Sequence, residues 1–248
     1  MAVIKLLRSS QILNNQIGVS VILPDQIQTN EKLPVVWLFH GLGDNGTGWQ
    51  RKTNLEQIVS TKRIAIVMPD MQRSFYTNMV YGGNYWEYLV KELIPQMRNY
   101  FPLATDPKEN FLVGNSMGGY GVLKLALHHP TWFKAVAAIS PVTDLQVVPK
   151  IMPDYQAVFG NELTNPKYQL KDMFQTANLD QLQQLSWYVA IGDADFMKQP
   201  CDDFVRDLSA QKLPINYVTG PGDHNWDYWN DQIKQVLNWL PLEQRGEH

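Results

Sequence analysis

Apolar residues in this chain come in short runs, and longer stretches with helical spacing separate most of them. Val35-Val36-Trp37-Leu38-Phe39 contains no polar residue, as expected for a strand covered on both faces. Ile64 to Met68, Phe111 to Val113, Ala135 to Ile139, Trp187 to Ile191 and Ile215 to Val218 read similarly. Ile17 to Leu23 alternates and predicts a half-covered strand, with Val3 to Leu7 as a second candidate. Apolar residues three or four apart mark helices over Tyr85 to Tyr100, Met117 to His128, Pro200 to Ala210 and Trp226 to Leu240. Two antiparallel strands followed by alternating strands and helices predict an α/β fold. Its central sheet is mostly parallel, with helices on both faces.

Pro141 to Leu185 breaks this rhythm. It is rich in Pro, Gln and Asp, and its helical pieces are short. It reads as a short cap-like insertion, at about 141–185, within a single domain spanning 1–248. Such excursions lie over the carboxyl ends of strands, where α/β proteins bind ligands. Phe159 and Met173 are its candidates either to line a site or to pack in the core.

Composition narrows the function. With 44% hydrophobic residues over 248 positions, the chain has material for a large core and is not of the disordered class. Asp and Glu (24) outnumber Lys and Arg (21), so no cationic excess is present to neutralise phosphates, and no nucleic-acid partner is expected. The one cysteine, Cys201, excludes an internal disulfide and a cysteine-based zinc site. No apolar run reaches the roughly 18 residues of a membrane span. Met1 to Ser10, interrupted by Lys5 and Arg8, lacks the apolar core of a signal peptide. A cytoplasmic protein with no membrane partner, no metal and no cofactor is the expectation. The eight tryptophans fit a core or a homo-oligomer interface equally.

The strand Phe111 to Val113 runs into Gly114-Asn115-Ser116-Met117-Gly118-Gly119, and an amphipathic helix is expected to follow. This is G-x-S-x-G between a strand and a helix, the context of a nucleophile elbow. Small residues two before and two after the serine let strand and helix approach closely. A serine hydroxyl needs a general base, usually a histidine oriented by a carboxylate. In this fold class the chain order is Ser, then Asp or Glu, then His. His224 and His248 lie far enough downstream; His248 is the last residue, whereas His224 follows the last strand and precedes the last helix. In the loop after Trp187 to Ile191, Asp195 is the first candidate acid and Asp193 the second; Asp144 is the third.

Val35 to Phe39 ends in His40-Gly41-Leu42-Gly43-Asp44-Asn45-Gly46. A loop here supplies the second oxyanion N–H in α/β hydrolases, and Leu42 N–H is the candidate, beside Met117 N–H from the elbow. His40 reads as a hydrogen-bonding residue behind the loop. The same stretch matches G-x-G-x-x-G, and Tyr120 with Lys124 forms Y-x-x-x-K, which together suggest a dinucleotide site. Against that, Thr47-Gly48-Trp49 continues the loop where a Rossmann helix should open. His128 and His129, being adjacent on a helix, point about 100° apart and cannot share a metal.

In combination, His40-Gly41-Leu42-Gly43 with Trp49, the Ser116 elbow, Gly192-x-x-Asp195 and Gly222-x-His224-x-Trp226-x-x-Trp229 resemble the esterase D-like branch of the α/β hydrolases. Small bacterial tributyrin (acyl) esterases are the most similar group; S-formylglutathione hydrolases and feruloyl or acetylxylan esterases are relatives. The resemblance implies an α/β-hydrolase fold and a catalytic triad of Ser116, Asp195 and His224. It implies Leu42 and Met117 as oxyanion donors; Gly41 and Trp226 are the candidates to contact the substrate. The G-x-x-D spacing favours Asp195 over Asp193. The implied activity is a serine carboxylesterase acting on small short-chain acyl esters through a covalent acyl-enzyme. An S-formylglutathione hydrolase or feruloyl/acetylxylan-type esterase is the alternative, and an acyltransferase or non-catalytic ligand-binding scaffold is a further one. Ile191, where bacterial relatives often carry Cys, and Asn115 in the elbow depart from the pattern without removing a catalytic group.

Overall fold

A computed structural model describes residues 1–242; His248 lies outside them. Eight strands form one sheet: β1 (Ala2–Ser10), β2 (Asn15–Leu23), β3 (Val35–Phe39), β4 (Ala65–Pro69), β5 (Asn110–Asn115), β6 (Ala135–Ile139), β7 (Ser186–Gly192) and β8 (Ile215–Gly220). Their order is β1-β2-β4-β3-β5-β6-β7-β8. The β1–β2 and β2–β4 pairs are antiparallel, and every later pair is parallel. Eleven α-helical segments connect or flank them. These are α1 (Gly48–Lys52), α2 (Leu55–Val59), α3 (Tyr85–Glu87), α4 (Ile94–Tyr100), α5 (Met117–His128), α6 (Val148–Ile151), α7 (Gln156–Phe159), α8 (Leu170–Thr176), α9 (Leu179–Leu182), α10 (Lys198–Ala210) and α11 (Trp226–Trp239). Among the described residues, no helix is long and apolar enough to cross a membrane.

Two apolar layers explain the unbroken runs. Along β3, Val35, Trp37 and Phe39 face one layer while Val36 and Leu38 face the other. Leu112 of β5, Val136 of β6 and Val189 of β7 join the first layer; Phe111, Ala137 and Ala190 join the second. The first is covered by α4, α5, α10 and the 141–185 segment, and the second by α1, α2 and α11. A strand with both faces dry must be apolar at every position. Strand β1 lies at the sheet edge, and its outward Val3 and Leu7 are exposed.

Three features go beyond the pattern-based expectations. Tyr85 to Tyr100 is not a uniform helix, because Tyr88–Leu93 winds as a π-helix, with Ile94 N–H bonded to the Leu89 carbonyl. Pro95 has no N–H to give and crowds the preceding turn, so a widened turn relieves the conflict. Glu92, in that widened turn, is buried. It accepts from Arg8 Nη2, Ser10 Oγ (2.9 Å) and the N–H groups of Gln11 (3.2 Å) and Ile12 (2.9 Å). It therefore ties the β1–β2 turn to the helical layer. Finally, α5 is not amphipathic: every residue from Met117 to Leu127 is buried. The sheet covers one side, and the 71–84 loop and the insertion cover the others. Phe159 and Met173 are buried in that same layer, with Phe159 edge-on to Phe75 and Tyr168.

Burial of α5 includes Lys124. Its Nζ donates to the Tyr76 carbonyl (3.1 Å), pairs with Thr77 Oγ1 and lies 4.5 Å from the centre of the Trp86 ring. Among the described residues no carboxylate meets it, and burial pushes its amine down to about 7. Below that pH the ammonium is charged whether the chain is folded or unfolded. Between about 7 and the unfolded value of 10.5 the unfolded chain holds the extra proton, so stability rises with pH. Urea midpoints should therefore show wild type gaining stability relative to Lys124→Met as pH rises from 7 to 10. A difference constant over that range would mean that the amine stays charged.

Candidate active site

Three backbones meet at the end of β5. A Cβ on Gly114 would stand 2.5 Å from the Gly118 carbonyl oxygen and 3.1 Å from Phe39 Cβ. One on Gly118 would stand 2.6 Å from the Phe39 oxygen. Real side chains cannot fit there, so glycine at both positions is what lets α5 start against β3 and β5. Between them Ser116 takes φ +53° and ψ −117°, a left-handed conformation unfavourable for a residue with a Cβ. Hydrogen bonds hold it: Ser116 N–H donates to the Ile139 carbonyl (2.9 Å), and the Ser116 carbonyl accepts from Tyr120 (3.0 Å) and Val142 (3.2 Å).

The serine hydroxyl meets His224. Ser116 Oγ lies 2.9 Å from His224 Nε2, and His224 Nδ1 lies 2.9 Å and 3.1 Å from the two Asp195 carboxylate oxygens. Asp195 is 3% exposed and also accepts from Met197 N–H (2.9 Å). The carboxylate oxygens accept from Nδ1–H, so Nε2 is left as an acceptor for the Ser116 hydroxyl. The other two acid candidates lie elsewhere. Asp193 is exposed beside this turn, and the Asp144 carboxylate accepts from Gln146 N–H instead. Two aromatic rings frame the imidazole: Trp229 edge-on at 5.0 Å and Phe196 tilted at 4.7 Å.

The His40–Gly46 loop is braced from behind. His40 Nε2 accepts from Met71 N–H (2.9 Å), which leaves its proton on Nδ1, 2.8 Å from the Gly41 carbonyl oxygen. That bond fixes the plane of the Gly41–Leu42 peptide and hence the direction of Leu42 N–H. Burial holds His40 below the ordinary imidazole range and keeps it neutral. Tyr76, itself at φ +51°, donates its hydroxyl to the His40 carbonyl (2.9 Å) and stacks on Phe39 at 4.5 Å. Gly41 sits against Ser116, since a Cβ there would be 3.4 Å from Ser116 Cβ. Met117 opens α5, where backbone N–H groups lack partners within the helix.

Trp226 lies in the α11 layer, edge-on to Trp49 (5.2 Å) and Trp229 (5.0 Å) and beneath Lys52 Nζ. The Y-x-x-x-K pair serves packing: Tyr120 Oη donates to the Tyr168 carbonyl (2.8 Å), and Lys124 holds Tyr76. Gly46 opens no helix; α1 begins at Gly48. His128 and His129 pack on Trp86, and among the described residues no three His, Cys, Asp or Glu side chains group to hold a metal. Sequence reasoning missed Tyr76, Met71 and Phe196. No motif surrounds the first two, and Phe196 is visible only as a neighbour of Asp195.

Fold and site geometry together define a serine hydrolase of the α/β-hydrolase fold. The chain belongs to the Esterase family, whose model matches residues 10–240. It is 25% identical to an acetyl esterase of Caldicellulosiruptor saccharolyticus over 85% of this chain and 84% of that one. Two solved Staphylococcus aureus structures superpose closely: fluorophosphonate-binding serine hydrolase F (TM-score 0.90) and the S-formylglutathione hydrolase FrmB (TM-score 0.89). Each is 29% identical and covers 96% of this chain and 98% of its own.

Removing one atom tests the brace. Tyr76→Phe keeps the ring and leaves the buried His40 carbonyl without its donor, at a cost of about 1 kcal/mol in stability. If the loop is aimed through His40, kcat on a simple ester should fall about tenfold with little change in KM. That is less than the roughly 100- to 1,000-fold lost with a whole oxyanion donor. A kcat within twofold of wild type would show that the loop is held without this hydroxyl.

Proposed function

We propose that this chain is a carboxylesterase that hydrolyses short-chain acyl esters through an acyl-enzyme on Ser116. His224 takes the serine proton as Oγ attacks the carbonyl carbon. The tetrahedral oxyanion is held by the N–H groups of Leu42 and Met117. The C–O bond to the alcohol then breaks, and His224 passes the proton to the leaving oxygen. Water repeats the sequence on the ester formed with Ser116, releasing the acid and restoring the serine. Asp195 keeps the imidazole in the required tautomer and stabilises the imidazolium. In this reading the chain is one cytoplasmic domain, with residues 141–185 as its cap.

The observation that carries this reading is the continuous hydrogen-bond chain from Ser116 through His224 to Asp195. Likeness to an acetyl esterase supports a short acyl group. Likeness to FrmB favours a second reading, hydrolysis of S-formylglutathione, in which a thiol leaves in place of an alcohol. Comparing kcat/KM across acetyl, butyryl and feruloyl esters and S-formylglutathione separates the two.

Ser116→Ala should abolish turnover of p-nitrophenyl acetate while the thermal melting curve stays cooperative. Retention of wild-type turnover by that variant would overturn the assignment of the nucleophile.

A further inference from the structure

Phe196 follows Asp195 directly, and Asp195 pins the chain just beyond it. The Asp195 carboxylate accepts from Met197 N–H and its carbonyl from Lys198 N–H, each at 2.9 Å. Met197 is fully buried, whereas Phe196 is 52% exposed. A single exposed phenylalanine means little by itself. This one lies with its ring centre 4.7 Å from that of His224, at an interplanar angle of 57°. Trp229 also meets the imidazole, but it is buried and donates Nε1–H to Ser140 Oγ (3.1 Å). Of the two rings that frame the imidazole, Phe196 is the one that solvent, and therefore a substrate, can reach.

The chemistry says which part of a substrate comes there. During acylation the proton that His224 takes from Ser116 goes to the leaving oxygen. That oxygen must come within hydrogen-bonding reach of Nε2. The body of the alcohol attached to it then lies alongside the imidazole, next to the exposed ring. We propose that Phe196 is a specificity-determining residue that packs against the alcohol half of the ester and favours a flat, apolar alcohol over a small one. The proposal rests on the assignment of Ser116 as nucleophile and His224 as its acid–base partner.

Esters that share an acyl group separate the two halves of the reaction. Naphthyl acetate and ethyl acetate give the same acetyl-enzyme but release different alcohols. For Phe196→Ala, kcat/KM on naphthyl acetate should fall about three- to tenfold, the range for loss of one aromatic contact. On ethyl acetate it should stay within about twofold. The rate of deacetylation should not change, because the alcohol has already left. Phe196→Trp, which keeps an aromatic face, should retain the preference for naphthyl acetate.

Equal losses on both esters would overturn the proposal. So would slower deacetylation or a displaced pH profile of kcat/KM, which would mean that the ring acts on the His224–Asp195 pair and not on the alcohol. The underlying assignment has its own readout. Without a burst of naphthol in wild type and an acetyl group on Ser116 in the quenched enzyme, that assignment fails and this proposal falls with it.

Discussion

Close contact between three backbones, with no room for a side chain, is the constraint on which the rest depends. β5, β3 and the first turn of α5 touch at Gly114 and Gly118. The chain must reverse within that contact, which forces Ser116 to a positive φ. Such a conformation is unfavourable by about 1–3 kcal/mol and persists only where surrounding structure over-determines it. Here the Ile139 carbonyl, the first turn of α5 and the backbone of Val142 all bond to Ser116. The strained turn presents the hydroxyl to the loops that follow β7 and β8, where Asp195 and His224 stand.

Around this contact, fixed groups hold the site from outside it. The carboxylate of Asp195 is buried and bonded to a backbone N–H as well as to the imidazole, so it cannot turn away. His40 occupies the equivalent place behind the His40–Gly46 loop, with both ring nitrogens bonded to backbone. Tyr76 joins that loop to α5, because its hydroxyl holds His40 and its carbonyl is held by Lys124. Groups with fixed positions need little reorganisation as charge develops during a reaction, which is how preorganised donors lower a barrier.

Much of the fold was legible because covered strands have a plain signature. Val35–Phe39 and Ala135–Ile139 span the same residues as β3 and β6, since both faces of each are dry. The elbow and the histidine loop were legible for a related reason: chemistry-bearing residues of an α/β sheet follow the carboxyl ends of its strands. The 70–84 loop was not. Tyr76 and Phe75 adopt positive φ without glycine or asparagine to announce it, and their partners lie on β3 and α5. Lys124 and Glu92 were hidden because a charge in sequence suggests solvent, while their burial depends on contacts tens of residues away. α5 was expected to show a polar face. A loop and an insertion cover that face, and no periodicity within α5 encodes them.

The central claim is that one serine oxygen, poised by an imidazole that a buried carboxylate orients, forms a covalent bond to the acyl group. Mass spectrometry of enzyme acid-quenched during turnover of p-nitrophenyl acetate tests it most directly. The expected result is a single added acetyl group on the peptide that contains Ser116, absent from unreacted protein. A protein that turns over the ester yet carries no acyl group there, or carries it on another residue, would contradict the account.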